Sequence, residues 1–321
     1  MPRLRLLALV LASLGILHAE AHVAAPRFKV LAFYTGKEDL AHISFDGEAN
    51  TWFADLARAK DFSYEATTDW HKLNAQTLSQ YQVVLFLDTR PDDPLSREAF
   101  KQYMLHGGAW MGFHFAGFAL TPSKYPQDWD WYHNEFLGAG SYVSNTWRPT
   151  SAILRVEGGD HPVTKGLPAT FKSAPSEWYR WEKDLRTNPD IRILLSIDPS
   201  SFPLGTGPKP HEIWHSGYYP VVWTNTRYRM VYMNMGHNDM DYDGGTNRQL
   251  SSTFSSPVQN ELITRALTWL GDRGPAARDG AASAPPAGPR GVSRLQDIDE
   301  GRDSWSPALA FIQSLAPRSQ R

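Results

Sequence analysis

The chain has no cysteine among its 321 residues, and this absence excludes two kinds of protein. A thiolate mechanism is impossible, because only cysteine supplies the sulfur nucleophile that such enzymes use. A lipoprotein anchor on an N-terminal cysteine is excluded for the same reason. The absence also fits an oxidising compartment, where a stray thiol would be a hazard.

The sequence also has little net charge and no long hydrophobic segment near its start. Its formal net charge is -2 and it contains no long basic run, so the electrostatic signature of a nucleic-acid-binding protein is missing. The apolar run over residues 6–17 is shorter than the roughly 20 residues of a membrane-spanning helix. We therefore expect no nucleic-acid partner and no membrane anchor in the mature chain.

The first residues have the pattern of a secretory signal peptide. A basic start, Met-Pro-Arg-Leu-Arg, precedes the apolar run, and Ala19-Glu20-Ala21 follows it. This order matches a basic region, a hydrophobic region and a small-residue cleavage site. We predict a signal peptide over residues 1–21, cleavage after Ala21, and a periplasmic or secreted protein.

The rest of the sequence indicates one globular α/β domain, since 41% of the residues are hydrophobic and strand and helix patterns alternate. Apolar residues at helical spacing between the first two strands, with Ser44 as a possible cap, complete a β-α-β unit. A second helix is predicted to open at Ser96, and a last one at Ser256-Pro257. The alternation predicts a doubly wound, mainly parallel sheet. Runs rich in apolar residues predict strands over residues 28–35, 82–88, 151–157, 191–197, 220–225 and 229–235.

We place the domain at residues 28–272. Within it, residues 116–149 are irregular and aromatic, and they predict a long functional loop with one short helix. The tail over residues 273–321 is rich in Ala, Pro, Gly and Arg and is predicted to be disordered, apart from a possible docking helix near residues 306–315.

A glycine-rich segment over residues 107–114 carries the strongest chemical signal. Its Gly108-x-Trp110-x-Gly112 spacing resembles the turn that holds a strained nucleophile after a strand. Trp110 occupies the nucleophile position in that reading and cannot attack a substrate. The reactive candidate that remains is His114, two residues past the second glycine.

Several polar side chains are predicted at the carboxyl ends of strands, where open α/β sheets bind ligands. Each follows an apolar run that would fix its backbone. The alternative for each histidine is a buried, hydrogen-bonded side chain with no role beyond packing. The candidates are His42, Asp88, His114, His237, Asn238 and Asp239.

Glu177-Trp178-Tyr179 places a carboxylate beside two aromatic rings. A carboxylate near a histidine can orient the ring or form an acid-base pair with it. The chain has 12 tryptophans, and flat rings beside polar groups suit the apolar face of a sugar. We therefore add Trp129, Tyr132, Trp178 and Tyr179 to the candidate substrate-binding residues, with His114, His237 and Glu177 as catalytic candidates.

The sequence does not decide whether the protein binds a divalent metal. Asp239-x-Asp241-x-Asp243-Gly244 matches the first half of a calcium loop, but Leu250 stands where that loop needs a glutamate. A zinc site could combine His114, His237 and Glu177, although no short ligand spacing requires it.

These motifs resemble the ThuA-like family, named for trehalose utilisation and related in fold to class I glutamine amidotransferases. The resemblance covers roughly residues 28–272 and rests on four segments in order. They are Gly107-Gly108-x-x-x-Gly112-x-His114, His161-Pro162-x-x-x-Gly166-Leu167-Pro168, Glu177-Trp178-Tyr179 and Met235-Gly236-His237. The chain departs from the commoner pattern at residues 129–133 and 234–242, which leaves the substrate open.

The resemblance implies a flavodoxin-like three-layer sandwich, a pocket around the matching histidines, and a link to disaccharide breakdown through 3-keto sugars. It does not imply amidotransferase activity. A ketone makes the proton on the neighbouring carbon removable, so histidine acid-base chemistry could start elimination or isomerisation without a nucleophile. Two alternatives remain: a non-catalytic glycan-binding module and a metal-dependent hydrolase.

Overall fold

The structure is a computed structural model that describes residues 25–37, 39–119, 129–146, 149–201, 217–237 and 250–272. The predicted signal peptide, the tail after residue 272 and the calcium-like segment at 239–244 lie outside the described residues. Within the described part of the chain, no helix has both the length and the apolar character needed to cross a bilayer.

The strands and helices alternate in the first half of the domain, and strands dominate the second half. The helices are α1 (Leu40–Lys60), α2 (Ala75–Leu78), α3 (Pro94–Leu105) and α4 (Pro257–Gly271). The strands are β1 (Lys29–Phe33), β2 (Ser63–Thr67), β3 (Val83–Phe86), β4 (Ala109–Phe113), β5 (Tyr142–Asn145), β6 (Ile153–Val156), β7 (Thr170–Lys172), β8 (Tyr179–Trp181), β9 (Ile191–Ile197), β10 (Pro220–Asn225) and β11 (Tyr228–Met233). Short 3-10 turns follow several of these, including His114–Gly117 after β4.

One large sheet has the order β2-β1-β3-β4-β11-β10-β9-β6-β7. From β2 to β11 every neighbouring pair is parallel. The pairs beyond β11 are antiparallel, so within the described sheet β10 and β6 alone run opposite to the other strands. This confirms the α/β fold with a mainly parallel sheet. A small second sheet pairs β5 with β8.

Alternate residues of the parallel strands point to opposite faces of the sheet, as the two-residue period requires. On one face, Val30 and Met111 pack with α1 and α4. On the other face, Phe33 and Trp110 pack with α3 and with an aromatic segment around the π-helical turn Trp131–Phe136. Helices on both faces of one sheet give three layers, in agreement with the expected sandwich.

The elements differ from the sequence prediction in their details. Asp39 caps α1 through its side chain, one turn before the predicted cap Ser44. The Ser44 hydroxyl instead accepts hydrogen bonds from the amides of Leu250 and Ser251, at 2.8 and 2.7 Å. α3 likewise begins earlier than predicted, with Asp93 as its cap. The predicted loop over residues 116–149 contains the π-helical turn and strand β5.

Candidate functional site

His114 occupies a strained turn directly after β4. Its φ is 37°, in the left-handed region that residues other than glycine rarely adopt. A strand, a residue with positive φ and a helical turn make up the geometry of a nucleophile elbow. The prediction that Trp110 holds that position is wrong. Trp110 lies within β4 with its ring in the core, and Gly112 leaves room for that indole because a Cβ there would meet it at 1.9 Å.

Both ring nitrogens and the carbonyl of His114 have partners inside the protein. Nε2 lies 2.9 Å from the carbonyl oxygen of Glu177, so it donates in this arrangement. A carbonyl oxygen only accepts, so this bond sets the tautomer as Nε2–H, and Nδ1 accepts from the Tyr179 hydroxyl at 3.2 Å. The carbonyl of His114 accepts a 2.7 Å hydrogen bond from Tyr232 on the neighbouring strand β11.

His237 and His42 meet His114 from two other elements. His237 follows β11, the parallel neighbour of β4, and is preceded by Gly236 with φ of 114°. His42 lies in the first turn of α1. His237 Nδ1 and His42 Nε2 are 3.0 Å apart, a hydrogen bond that needs one proton between the two rings.

The three imidazoles form a compact cluster. Ring centroids of His114 and His237 are 4.9 Å apart, those of His42 and His237 are 4.8 Å apart, and those of His42 and His114 are 5.8 Å apart. The structure brings the rings of His114 and His237 together, as the sequence predicted. Parallel strands bring their carboxyl ends to one edge, which is why residues so far apart in sequence converge.

Glu177 completes the cluster from the segment before β8. Its Oε2 lies 3.6 Å from His114 Nε2 and 3.7 Å from His237 Nδ1. Its Oε1 accepts a 2.6 Å hydrogen bond from the side-chain amide of Asn145, at the end of β5. Its backbone amide donates to the carbonyl of His237 at 2.9 Å. We call His42, His114, His237 and Glu177 the histidine edge.

Burial controls the charge of the central histidine. Burial lowers the pKa of His114 well below its ordinary value, the neighbouring His237 and His42 lower it further, and the hydrogen bond to Glu177 opposes them. His114 is therefore neutral at pH 7. Burial alone would raise the pKa of Asp39, but His42, His237 and two backbone amides hold it below its ordinary value.

Asp88 has a structural role in the loop after β1. Its oxygens accept hydrogen bonds from the amide and the hydroxyl of Thr35 and from the amide of Gly36. These bonds hold the loop between β1 and α1, and they do not support the prediction that Asp88 binds substrate. Burial, followed by the charge of Asp88, raises the pKa of Asp46 well above its ordinary value, so this carboxyl pair holds a proton.

Two of the predicted sugar-stacking residues are core residues. Trp178 is 0% exposed, and its indole N–H donates to the carbonyl of Thr150 at 2.8 Å. Tyr132 is also 0% exposed, and its hydroxyl donates to the carbonyl of Ala116 at 2.9 Å. The prediction that these rings stack against a sugar is wrong, because both faces and the polar atoms are already occupied.

The other predicted residues have mixed outcomes. Trp129 is partly exposed. Its ring stacks on Tyr132 and lies under the guanidinium of Arg97 in α3. None of its recorded ring contacts within the described part of the chain is with the histidine edge. Tyr179 is buried beside His114, with ring centroids 4.0 Å apart, so it positions the imidazole. Asn238 and Asp239 lie outside the described residues.

Sequence reasoning missed Asn145, Asp39 and Phe115. Phe115 covers His42, with ring centroids 5.2 Å apart. Asp39 could have been found as the cap of α1, because an aspartate just before a helical pattern is a typical cap. Asn145 carried no signal, since only the pairing of β5 with β8 brings it to Glu177.

The cluster can act on a ligand in two ways. Its paired imidazoles and carboxylate can take and return a proton. Its three histidines also offer one nitrogen each, all within 4.8 Å of one another, which is an arrangement that can hold a cation. His42 and His237 are each 7% exposed and His114 is 1% exposed, so a ligand would approach from the side of His42 and His237.

Comparison with known proteins identifies the family. The ThuA family model, described as trehalose utilisation, matches residues 29–270. A ThuA-like protein structure from Bacteroides uniformis is 37% identical, with a TM-score of 0.67, over 79% of this chain and 95% of that one. A ThuA-like structure from Parabacteroides merdae is 18% identical, with a TM-score of 0.50, over 76% of this chain and 90% of that one, and it supports the fold alone. No curated protein sequence matches the chain. The chain thus belongs to the ThuA family.

Proposed function

We propose that this protein is an exported carbohydrate-processing enzyme that removes a proton next to a ketone in a keto-sugar, at the histidine edge. The observation that carries the proposal is the joining of His42, His237, Glu177 and His114 through nitrogen and oxygen atoms 3.0 to 3.7 Å apart. Groups at such spacing can pass a proton among themselves and to a bound substrate.

The substrate class follows from the family description and from the chemistry of the site. Trehalose utilisation suggests a glucose disaccharide, and a ketone at C3 makes the proton at C2 acidic. The chain has no cysteine, and the elbow presents His114 where a nucleophile would stand. Proton transfer needs neither a sulfur nor an acyl intermediate, so this constellation suits a keto-sugar better than amide hydrolysis.

The reaction balances without an oxidant or a reductant. A base of the histidine edge takes the C2 proton, and the electron pair of the C–H bond forms an enolate with the C3 ketone. The enolate restores the ketone and forms the C1–C2 double bond as the glycosidic C1–O bond breaks. The departing sugar oxygen takes a proton from an acid of the cluster. Return of the proton to the other face of C2 would instead give isomerisation.

The residues divide these roles by their surroundings. His114 is neutral at pH 7 and both of its ring nitrogens have protein partners, so we assign it the positioning of its neighbours and not the donation of a proton. His237 and Glu177 are 7% and 4% exposed, against 1% for His114, and we assign them the acid and base steps. His42 shares the proton of His237.

The competing binding-module function is weakened by the structure. It depended on an aromatic platform, and Trp178 and Tyr132 are core residues. The metal-dependent alternative is favoured by one observation, the convergence of three histidine nitrogens.

The test is proton exchange in deuterated water, followed by nuclear magnetic resonance. The 3-keto derivative of trehalose should lose its C2 proton signal in the presence of the enzyme, and trehalose itself should not. His237→Ala and Glu177→Gln should slow exchange by about 10²–10⁴, the usual contribution of a general acid or base. His106→Ala, at an exposed histidine of the cap of α3, is the matched control.

The proposal fails if the enzyme exchanges no proton of any keto-sugar, or if both site variants retain full activity. Tight sugar binding that persists in both variants would identify a binding module instead. Export is tested separately by the intact mass of secreted material, which should lack residues 1–21. A mature species that retains Met1 would contradict export by this signal.

A further inference from the structure

We propose that His42, His114 and His237 are the ligands of a divalent transition-metal ion of the zinc class, with Glu177 beside its open position. A metal site goes beyond the proposed proton transfer, and metal binding can be measured without an activity assay. The site differs from the zinc ligand set suggested by the sequence, because His42 replaces Glu177 as the third protein ligand.

The distances fit a three-histidine site. The candidate nitrogens lie within 4.8 Å of one another, and the pair His237 Nδ1 and His42 Nε2 is 3.0 Å apart. Zinc–nitrogen bonds of about 2.0–2.1 Å at tetrahedral angles require nitrogens about 3.3 Å apart. Side-chain adjustments of about 1–2 Å would therefore suffice.

The ring orientations are compatible with one centre. The rings are inclined at 89° for His42 and His237, 63° for His42 and His114, and 56° for His114 and His237. The lone pair of an imidazole nitrogen lies in the ring plane, so stacked parallel rings would direct their lone pairs side by side. Inclined planes allow the three lone pairs to converge.

Three different elements hold the ligands, and each fixes its residue. His42 is on the capped first turn of α1, and His114 is locked in its elbow by Tyr232. His237 is tied through its carbonyl to the amide of Glu177. A site built on rigid elements loses little entropy when it binds an ion.

Outer partners complete the site in the way that metal-bound histidines require. Binding through Nε2 would replace the hydrogen bond from His114 to the Glu177 carbonyl and move the proton to Nδ1. The Tyr179 hydroxyl, 3.2 Å from Nδ1, can accept that proton's hydrogen bond as readily as it donates now. The carboxylates of Asp39 and Glu177 supply negative charge near the ion.

The ligand set selects the class of metal. Imidazole nitrogens suit zinc, iron, nickel and copper better than the hard cations calcium and magnesium, which prefer oxygen. Three histidines leave one tetrahedral position open, as in catalytic zinc sites. An ion there could polarise a substrate carbonyl, and Glu177 would remain available as a base. With the metal bound, the acid step assigned to His237 would pass to a water molecule at the open position.

The test is binding of zinc to the full mature chain, freed of metal by a chelator and without a polyhistidine tag. Calorimetry and elemental analysis should find a single zinc ion per chain. His42→Ala and His237→Ala should each weaken binding by more than about 100-fold, because loss of an outer partner alone costs about 10–100-fold. His106→Ala should bind zinc as the parent does.

Cobalt(II) gives a second readout, since its visible spectrum reports a tetrahedral nitrogen environment. The proposal is overturned if zinc does not bind, or if it binds equally well to His42→Ala and His237→Ala with their circular dichroism unchanged. His42 is on a helix and its loss should not unfold the chain, so the test does not depend on the more central His114. If the protein binds zinc but exchanges no proton of a keto-sugar, the proposed function is wrong and the metal site stands. If it exchanges the proton fully but binds no zinc, the metal site is wrong and the proposed function stands.

Discussion

The histidine edge and the aromatic face of the sheet are both buried, yet they are built in opposite ways. The aromatic face, which we define as Phe100, Trp110, Trp131, Tyr132 and Phe136, fills the space between the sheet and α3 with rings in mutual contact. The histidine edge gathers ionisable groups that face one another at hydrogen-bond and ion-pair distances.

This difference separates packing from chemistry. Burying aromatic rings is favourable without any ligand. Burying several ionisable groups together is unfavourable unless they are bonded to each other or serve a ligand. Stability should therefore depend mainly on the aromatic face, and activity on the histidine edge.

The largest effect on stability should come from Phe100→Ala. Phe100 is fully buried and contacts the four other rings of the aromatic face and Phe86 of β3. Loss of a buried phenyl ring typically lowers the free energy of unfolding by about 3–5 kcal/mol. Urea unfolding measures it, with Leu95→Ala as the control, because Leu95 of the same helix is 80% exposed. Equal effects of the two variants would remove the distinction between the regions.

Asp46→Asn should show that burial of the Asp46 and Asp88 carboxyl pair lowers stability in a way that depends on pH. The raised pKa of Asp46 means that the folded state holds a proton which the unfolded state releases above about pH 4. Stability from this group is complete below pH 4 and is lost as the pH rises through the folded pKa. Asp46 faces Asp88, Tyr64 and the Gly36 amide, and asparagine can keep the amide contact.

The expected result is that Asp46→Asn raises the urea midpoint more at pH 8 than at pH 5, relative to the parent at each pH. Asp55→Asn, at an exposed position of the same helix, serves as the control. A gain that is independent of pH would contradict the shared proton.

Tyr179→Phe tests whether activity and stability can be changed independently at a residue that contacts His114. It removes the hydroxyl partner of Nδ1 and keeps the ring that packs on the imidazole. Loss of such an outer partner should lower turnover or metal affinity by about 10–100-fold, with stability nearly unchanged. Tyr228→Phe, whose hydroxyl contacts Glu135 on the aromatic side, should leave turnover intact. Equal losses of turnover in both variants would argue against a positioning role.

The smallest effect should be the difference in the free energy of unfolding between His114→Gly and His114→Ala. Both remove the imidazole, but only glycine relieves the positive φ, which costs other residues about 1–2 kcal/mol. The glycine variant should unfold at higher urea concentration, by about 1 kcal/mol. Ala116→Gly in the next turn should instead destabilise, since no positive φ is relieved there. An alanine variant as stable as the glycine variant would show that the elbow is unstrained.

The sequence predicted much of the fold because long apolar runs that alternate with helices form buried strands of one sheet in an α/β protein. The strands β1, β3, β9 and β10 lie within the predicted runs, and β11 begins one residue before its run. The weakly apolar strand β2 was missed, because its residues Ser63–Thr67 are half-buried or exposed at the sheet edge. β5 was also missed, since its pairing with β8 depends on contacts that no local pattern records.

The site was predictable where backbone topology determined it. His114 and His237 follow adjacent parallel strands, so their meeting follows from strand order. The direction of individual side chains was not predictable. Trp178 and Glu177 are neighbours in sequence, but one packs in the core and the other faces the histidines, because successive residues of an extended chain point to opposite sides.

Glu177 holds the site together through its main chain as well as its side chain. Its amide binds the carbonyl of His237 and its carbonyl binds the ring of His114, and every amino acid except proline offers the same two groups. The scaffold that aligns the histidines is therefore indifferent to the side chain at this position. A lineage could exchange the carboxylate for another group, and so acquire a different reaction, while the ends of β4 and β11 stay aligned.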